Sequence, residues 1–295
     1  MSRFVETARP KINLTLQILG RRSDGYHALE SLVAFAEGPC DCVTLDCDQP
    51  ASISTQGPFA SGISGANLLQ TVLQLVVDAA SRADLDEVRL GLVHLEKHLP
   101  VAAGVGGGSA DAAALIRALQ KANPSHAHAL DWRAIALRLG ADVPVCLFNR
   151  AAWMTGIGEH LTALENLPPL PALLVNPQVA VPADKTARVF HALQAGDYGE
   201  STPRQVERPN ISNPDALIAM IDGGNDLQTA AIAVVPTIDE VLKALRALPN
   251  CRVAAMSGAG PTCFAVFDGV EAAAAAAIAL QRDRPGWWIA PVMLG

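Results

Sequence analysis

The sequence predicts an α+β protein built in two parts, and three observations carry that expectation. Apolar residues switch repeatedly between a two-residue and a 3.6-residue period, the signature of strands alternating with helices. At 295 residues the chain is long enough for two domains with cores of their own, although one large domain also fits. Pro168, Pro169 and Pro171 gather at the clearest junction, so the expected division is 1–165 and 166–295.

Composition excludes several classes of function. Half the residues are hydrophobic and few are aromatic, so aliphatic packing dominates. A formal net charge of −7 with no basic run argues against a nucleic-acid partner, but a small anion in a local cradle stays compatible. No apolar run approaches the ~20 residues of a membrane span, and the alanine-rich run 272–279 is short and weakly hydrophobic. The six cysteines include a C-x-C-x4-C cluster at Cys40, Cys42 and Cys47, which lacks zinc-finger spacing and a fourth ligand. Free thiols and the absence of a secretion signal around Arg3, Glu6 and Arg9 point to a reducing cytoplasm.

Taken in order, Ile12, Leu14, Leu16 and Ile18 alternate with Lys11, Asn13, Thr15 and Gln17, which predicts one half-buried strand over 10–19. Lys11 and Asn13 share its polar face. A turn-forming loop follows at 20–27 and sets Tyr26 beside His27, where rings are available to a flat ligand. A strand at 43–46, a loop at 56–65 and an amphipathic helix opened by Asn67 come next. Residues 88–99 read as a strand; His94 and His98 share a face but stand too far apart on it to chelate easily.

The chain is organised around Pro100–Ala122. Gly104, Gly106, Gly107 and Gly108 crowd into five positions and feed directly into an alanine-rich helix. Glycine lets the backbone approach a ligand closely, and a helix start offers unpaired N–H groups and positive partial charge. Together they favour a bound phosphate. Ser109 or Asp111 is the expected cap, with Leu115, Ile116 and Leu119 as the buried stripe. The loop is neither a P-loop, since Ser109 and Ala110 follow Gly108, nor a dinucleotide fingerprint, since Ser109 replaces its third glycine.

A helix over 132–139 ends at Gly140, and Asp142 then stands between a glycine turn and an apolar run. A carboxylate so placed is either paired or put to use, or else merely finishes a helix. Strand and turn over 151–159, a strand at 173–175, a helix over 184–193 and a polar segment through Asn213 follow. Two more helical patterns come next, the second at 237–248. A strand (253–256), a second glycine loop (257–262), a strand (263–267), a helix (271–281) and a last strand near 287–292 complete the chain.

Three separated motifs now stand together. They are Pro10-Lys11-Ile12-Asn13-Leu14 with the Asp24-Gly25-Tyr26-His27 loop, the glycine stretch from Pro100, and Ser257-Gly258-Ala259-Gly260-Pro261-Thr262. In combination they resemble the GHMP kinase superfamily over nearly the whole chain. The Lys-x-Asn start, the Asp-Gly-Tyr-His loop and Leu139–Pro144 most closely resemble its members that phosphorylate the C2 hydroxyl of a methylerythritol carried on cytidine diphosphate, in the non-mevalonate isoprenoid route. The resemblance implies a ribosomal-protein-S5-like N-terminal domain, a ferredoxin-like C-terminal domain and a cleft between them.

It also implies residue roles. Asp142 matches the catalytic aspartate and Lys11 its companion lysine, a carboxylate to accept the alcohol proton and an ammonium to keep it ionised. Pro100, Val101, Ala102, Ala103, Gly104, Val105, Gly106, Gly107, Gly108, Ser109 and Ala110 match the ATP-phosphate cradle, with Asn67 and Lys97 near the adenine. Tyr26 and Phe190 match an aromatic pair around cytosine, and His27 a reader of the cytosine edge through its backbone. Asn13 and Thr186 match polar contacts to substrate, and Gly258 and Gly260 line the same site. ATP and Mg2+ are the implied cofactors, with no protein ligand for the metal assigned, although a loop serine serves in parts of the superfamily. Ala110 stands where many relatives have serine, and Gln228 where an acid is usual. The implied partners are ATP and a cytidine diphosphate sugar-alcohol, without nucleic acid or membrane, for a monomer or weak homodimer. Another GHMP small-molecule kinase, of homoserine or mevalonate type, and a non-catalytic nucleotide-binding protein of this fold are the alternatives.

Overall fold

The computed structural model describes residues 2–63, 67–85, 88–126, 128–198, 211 and 213–295. In chain order the elements begin with strands β1 (Arg3–Ala8), β2 (Lys11–Asn13), β3 (Gln17–Arg21), β4 (His27–Glu37), β5 (Asp41–Asp46) and β6 (Ser52–Gln56). Helix α1 (Leu68–Arg82), strand β7 (Leu92–Glu96) and helices α2 (Gly107–Ala122), α3 (Trp132–Leu139) and α4 (Val143–Phe148) follow. Next are β8 (Ala152–Gly156), β9 (His160–Ala163), β10 (Leu170–Asn176), α5 (Lys185–Leu193), α6 (Pro214–Asp222), α7 (Gln228–Val234) and α8 (Thr237–Arg246). The chain closes with β11 (Cys251–Met256), β12 (Cys263–Phe267), α9 (Val270–Asp283) and β13 (Trp288–Leu294).

By contacts the chain forms two compact units, each drawn from separate stretches. The first comprises 1–10, 39–102 and 106–149; the second comprises 11–38, 103–105 and 150–295.

The first unit holds a four-stranded sheet in the order β1-β5-β7-β6. Strands β6 and β7 pair in parallel and are joined through α1, because a parallel return needs a long crossover. Asn67 starts α1 by accepting the Leu69 N–H at 3.0 Å, and Asp131 does the same for α3 from Ala134 at 2.9 Å. Helix α2 is buried along almost its whole length, down to Leu115, Ile116 and Leu119 at 0 % exposure, and small alanines fill six of its sixteen positions.

The second unit is a nine-stranded sheet running β11-β12-β10-β13-β4-β8-β9, with β2 and β3 added on β4. Both faces of its β10–β12 portion are covered. Leu173, Val175, Met256, Ala265 and Phe267 pack with α8 and α9, while Ala172, Leu174, Ala255, Phe264 and Val266 pack with α6. Adjacent residues point to opposite faces, so these strands read as continuous apolar runs rather than alternations. In α8, Asp239 and Glu240 occupy the first turn and Lys243 and Arg246 the last, matching the helix dipole.

Three expectations change, and one run left unassigned takes a definite form. The strand over 10–19 breaks into β2 and β3, because Thr15 turns its side chain onto β4, where its Oγ1 accepts the Leu32 N–H at 2.9 Å. The strand expected over 88–99 is confined to β7. The apolar run after Asp142 is helix α4, and three helices rather than two lie between 213 and 250. Local period cannot separate a short buried helix from a strand. Most of the polar segment expected before Asn213, and the end of the loop at 56–65, lie outside the described residues.

Candidate active site

In the first unit the glycine stretch ends in a left-handed residue, Gly106 (φ 65°), at the N-cap of α2, and no side chain caps the helix. Ser109 and Asp111 therefore do not cap it. The helix starts at Gly107, earlier than a side-chain cap at either position allows, so both lie within its first two turns. Its leading N–H groups are left for solvent or an anion. Val101, Ala102 and Gly108 are exposed, Gly107 and Ser109 half-buried, and Pro100 and Ala110 buried.

Directly beneath lies a charged cluster. Lys97, 2 % exposed, places Nζ 2.5 Å from Asp41 Oδ2 and 2.7 Å from Asp111 Oδ2. Asp41 Oδ1 accepts the backbone N–H groups of His98 (2.6 Å) and Leu99 (2.8 Å). A Cβ built on Gly107 would stand 3.3 Å from the same ammonium, so the lysine supports the first residue of α2. Burial pushes Asp111 up to about 7; the Lys97 charge opposes this and Asp41 reinforces it. For Lys97, burial lowers the pKa but the two carboxylates outweigh it, and the net shift is upward. Lys97, expected near the adenine, thus has its ammonium committed to two aspartates, and Asn67 is the cap of α1. Asp142 is the N-cap residue of α4, half-buried, and its carboxylate makes no capping bond.

In the second unit Lys11 and Asn13 are buried rather than on a solvated face, at 2 % exposure each. Lys11 Nζ donates to Asn13 Oδ1 (2.9 Å), and Asn13 Nδ2 donates to Ser31 Oγ (2.8 Å). The backbone around them is stitched to both glycine loops. Lys11 N–H donates to Val105 O (2.9 Å), Thr262 N–H to Ala103 O (3.0 Å) and Ser257 Oγ–H to Gly104 O (3.1 Å). Asn13 N–H in turn donates to Ser257 Oγ (3.1 Å). Gly104 must be glycine: at φ +81° a Cβ would lie 2.6 Å from Gly260 O.

The expected base-binding residues gather at the β3–β4 turn. His27 stacks on Phe190 of α5, with ring centroids 4.7 Å apart and 28° between planes. Burial, and then the Arg21 charge, lower the His27 pKa, which favours the neutral imidazole. Tyr26 is 58 % exposed and its backbone is fixed by Asp24, whose Oδ1 accepts the Tyr26 N–H at 3.1 Å. Thr186 is exposed on the first turn of α5.

Two family domains match this arrangement: "GHMP kinases N terminal domain" over residues 67–150 and "GHMP kinases C terminal" over 208–283. The chain is a GHMP kinase. Curated relatives span its full length. One from Methylobacterium radiotolerans, called 4-diphosphocytidyl-2-C-methyl-D-erythritol kinase, is 46% identical over 100% of both chains. Another of that name from Dinoroseobacter shibae is 44% identical over 97% of this chain and 93% of its own. A crystal structure of 4-(cytidine 5'-diphospho)-2C-methyl-D-erythritol kinase matches with a TM-score of 0.73 at 34% identity, covering 99% of this chain and 100% of that one. A homoserine kinase from Cytophaga hutchinsonii (TM-score 0.69, 17% identity, 99% and 96% covered) shares the fold. As a GHMP kinase the protein is an ATP-dependent small-molecule kinase with the two-sheet fold of that family.

Three further residues of this GHMP kinase carry structure at the site. Nothing in the local sequence marks Asp41. Asp111 is the one charged residue between Gly104 and Ile116, a signal that a buried helix would need to pair it. Asn225 Nδ2 donates to Met256 O (2.7 Å) and Gly258 O (3.0 Å), holding the second glycine loop. Beside it, Gln228 is the first residue of α7.

Proposed function

We propose that this enzyme transfers the γ-phosphoryl of ATP to the 2-hydroxyl of 4-diphosphocytidyl-2-C-methyl-D-erythritol, giving the 2-phosphate and ADP, in the non-mevalonate isoprenoid precursor pathway. The observation that carries the reading within the family is the His27–Phe190 stack beside Tyr26, a ring surface that a substrate lacking a nucleobase does not need. The full-length relatives of that name support it.

In the mechanism we propose, the N–H groups of Gly106–Ser109 hold the phosphate tail at the start of α2, with Pro100–Val105 and Ala110 shaping the loop and Asn67 and Lys97 backing it. The 2-hydroxyl oxygen bonds to the γ-phosphorus while the bond to the bridging oxygen of ADP breaks. The hydroxyl proton passes to the Asp142 carboxylate. Lys11, oriented by Asn13, supports charge on the transferred group. Positioning and charge neutralisation suffice for such a transfer. Tyr26 and Phe190 flank the cytosine, His27 reads its edge, and Thr186, Gly258 and Gly260 border the rest of the substrate. A Mg2+ accompanying the nucleotide would be held mainly by phosphate and water, as is usual for this ion. Ser109, the only hydroxyl in the loop, is the side chain available to it; the ion would neutralise β- and γ-phosphate charge.

This reading assigns residues 1–165 to the domain with the ATP loop, Lys11 and Asp142, and 166–295 to the domain completing the substrate site. It places the enzyme in the cytoplasm as a monomer or weak homodimer. No helix among the described residues is long and apolar enough to cross a membrane. An ADP-release assay tests the assignment: the cytidine diphosphate substrate should support turnover and free methylerythritol phosphate should not. Equal activity on both would refute it.

A further inference from the structure

Lys185 is the first residue of α5 and is only 4 % exposed, while the next three residues are exposed. Two general effects disfavour a lysine there. A cation at a helix N-terminus opposes the dipole, and burying an ammonium removes its hydration. Burial pulls its pKa down to about 8. Its Nζ donates to the carbonyl oxygen of Gly260.

That carbonyl is held in a rigid frame. Gly260 is left-handed (φ +68°), and a Cβ there would meet Met256 Sδ at 2.8 Å and Ile238 Cδ1 at 2.9 Å. Three other loop carbonyls are tied by neutral donors: Ser257 O by Gly260 N–H, Thr262 O by Ser257 N–H and Gly258 O by Asn225. Gly260 O is the one held from α5. It also lies against Gly104, so one oxygen joins the substrate-side helix to both glycine segments.

We propose that Lys185 is a positioning residue that locks α5 to the second glycine loop, presenting Thr186, Phe190 and Gly258–Gly260 to the cytidine-bearing substrate as one wall. The inference rests on the proposed function. Thr186 directly follows the locked residue, and Phe190 extends the wall to His27. The first glycine stretch has three ties that do not involve α5: Thr262 N–H to Ala103 O, Ser257 Oγ–H to Gly104 O and Lys11 N–H to Val105 O.

Steady-state kinetics and thermal unfolding of wild type, Lys185→Met and Lys185→Arg decide it. Lys185→Met should raise KM for the cytidine substrate about tenfold or more and leave KM for ATP within about twofold, with Tm unchanged or higher because a buried charge is gone. Lys185→Arg, which keeps a charged donor, should restore most of the substrate KM. An unchanged substrate KM in Lys185→Met, or a parallel rise in both KM values with a lower Tm, overturns the proposal and leaves Lys185 a packing residue. Should wild type fail to turn over the cytidine substrate, the functional assignment itself falls. Should wild type succeed while Lys185→Met matches it, only this inference falls.

Discussion

Replacing Asp111 by Asn tests the charged cluster under the glycine loop that opens α2. Asp111 and Asp41 share one ammonium in a dry site, at 2.7 and 2.5 Å. Burial and the second carboxylate raise the Asp111 pKa from 3.8 to about 7. A folded-state pKa above the unfolded value means that the fold prefers the protonated acid. The corresponding stability is complete below about pH 4 and is lost as pH rises through about 7. The shift corresponds to about 4 kcal/mol between those limits, at 1.36 kcal/mol per unit. The amide of Asn is neutral throughout, accepts from Lys97 through its oxygen, and donates through its nitrogen. Wild type and Asp111→Asn should therefore match at pH 4 and diverge above pH 7, the variant becoming more stable by up to about 4 kcal/mol. Unfolding entropy for 295 residues is about 0.6 kcal/mol per kelvin, so the gap at pH 8 amounts to about 6 °C in Tm. Thermal unfolding followed by circular dichroism between pH 4 and 8.5 measures it. A pH-independent offset, or a variant less stable than wild type at pH 8, would show that Asp111 is held as a carboxylate and that the ion pair prevails over burial.

Removing the other partner should do the opposite: Lys97→Met leaves two buried carboxylates facing each other and lowers stability at pH 8 by about 3–5 kcal/mol. The deficit should shrink on acidification as one of them protonates, and an equal deficit at pH 5 would contradict this. Gly104→Ala places a methyl 2.6 Å from Gly260 O at φ +81°; the backbone strain alone is about 1–2 kcal/mol. KM for ATP should rise and Tm should fall by at least about 2 °C, and wild-type values for both would show that the loop gives way freely. Asp142→Asn should keep ATP affinity and lose about 10²–10⁴ in kcat, the range of general-base catalysis; near wild-type turnover would remove it from the mechanism.

Local chemistry was legible wherever one stretch of chain decides its own structure. Asn67 begins α1, Gly140 ends α3, and the Ser257–Thr262 loop lies between two strands where the pattern puts it. The glycines feeding α2 mark where that helix begins, and three short motifs sufficed for the family. Period alone sets Lys11 and Asn13 on one face, and the hydrogen bond between them agrees. Tertiary structure decided what covers that face: both residues are buried, a fact set by elements hundreds of residues away such as Ser257. It alone gave Lys97 its two aspartates and aimed Lys185 at Gly260. Periodicity records which way a side chain points relative to its own neighbours, whereas burial and charge pairing depend on segments that meet only when the chain folds.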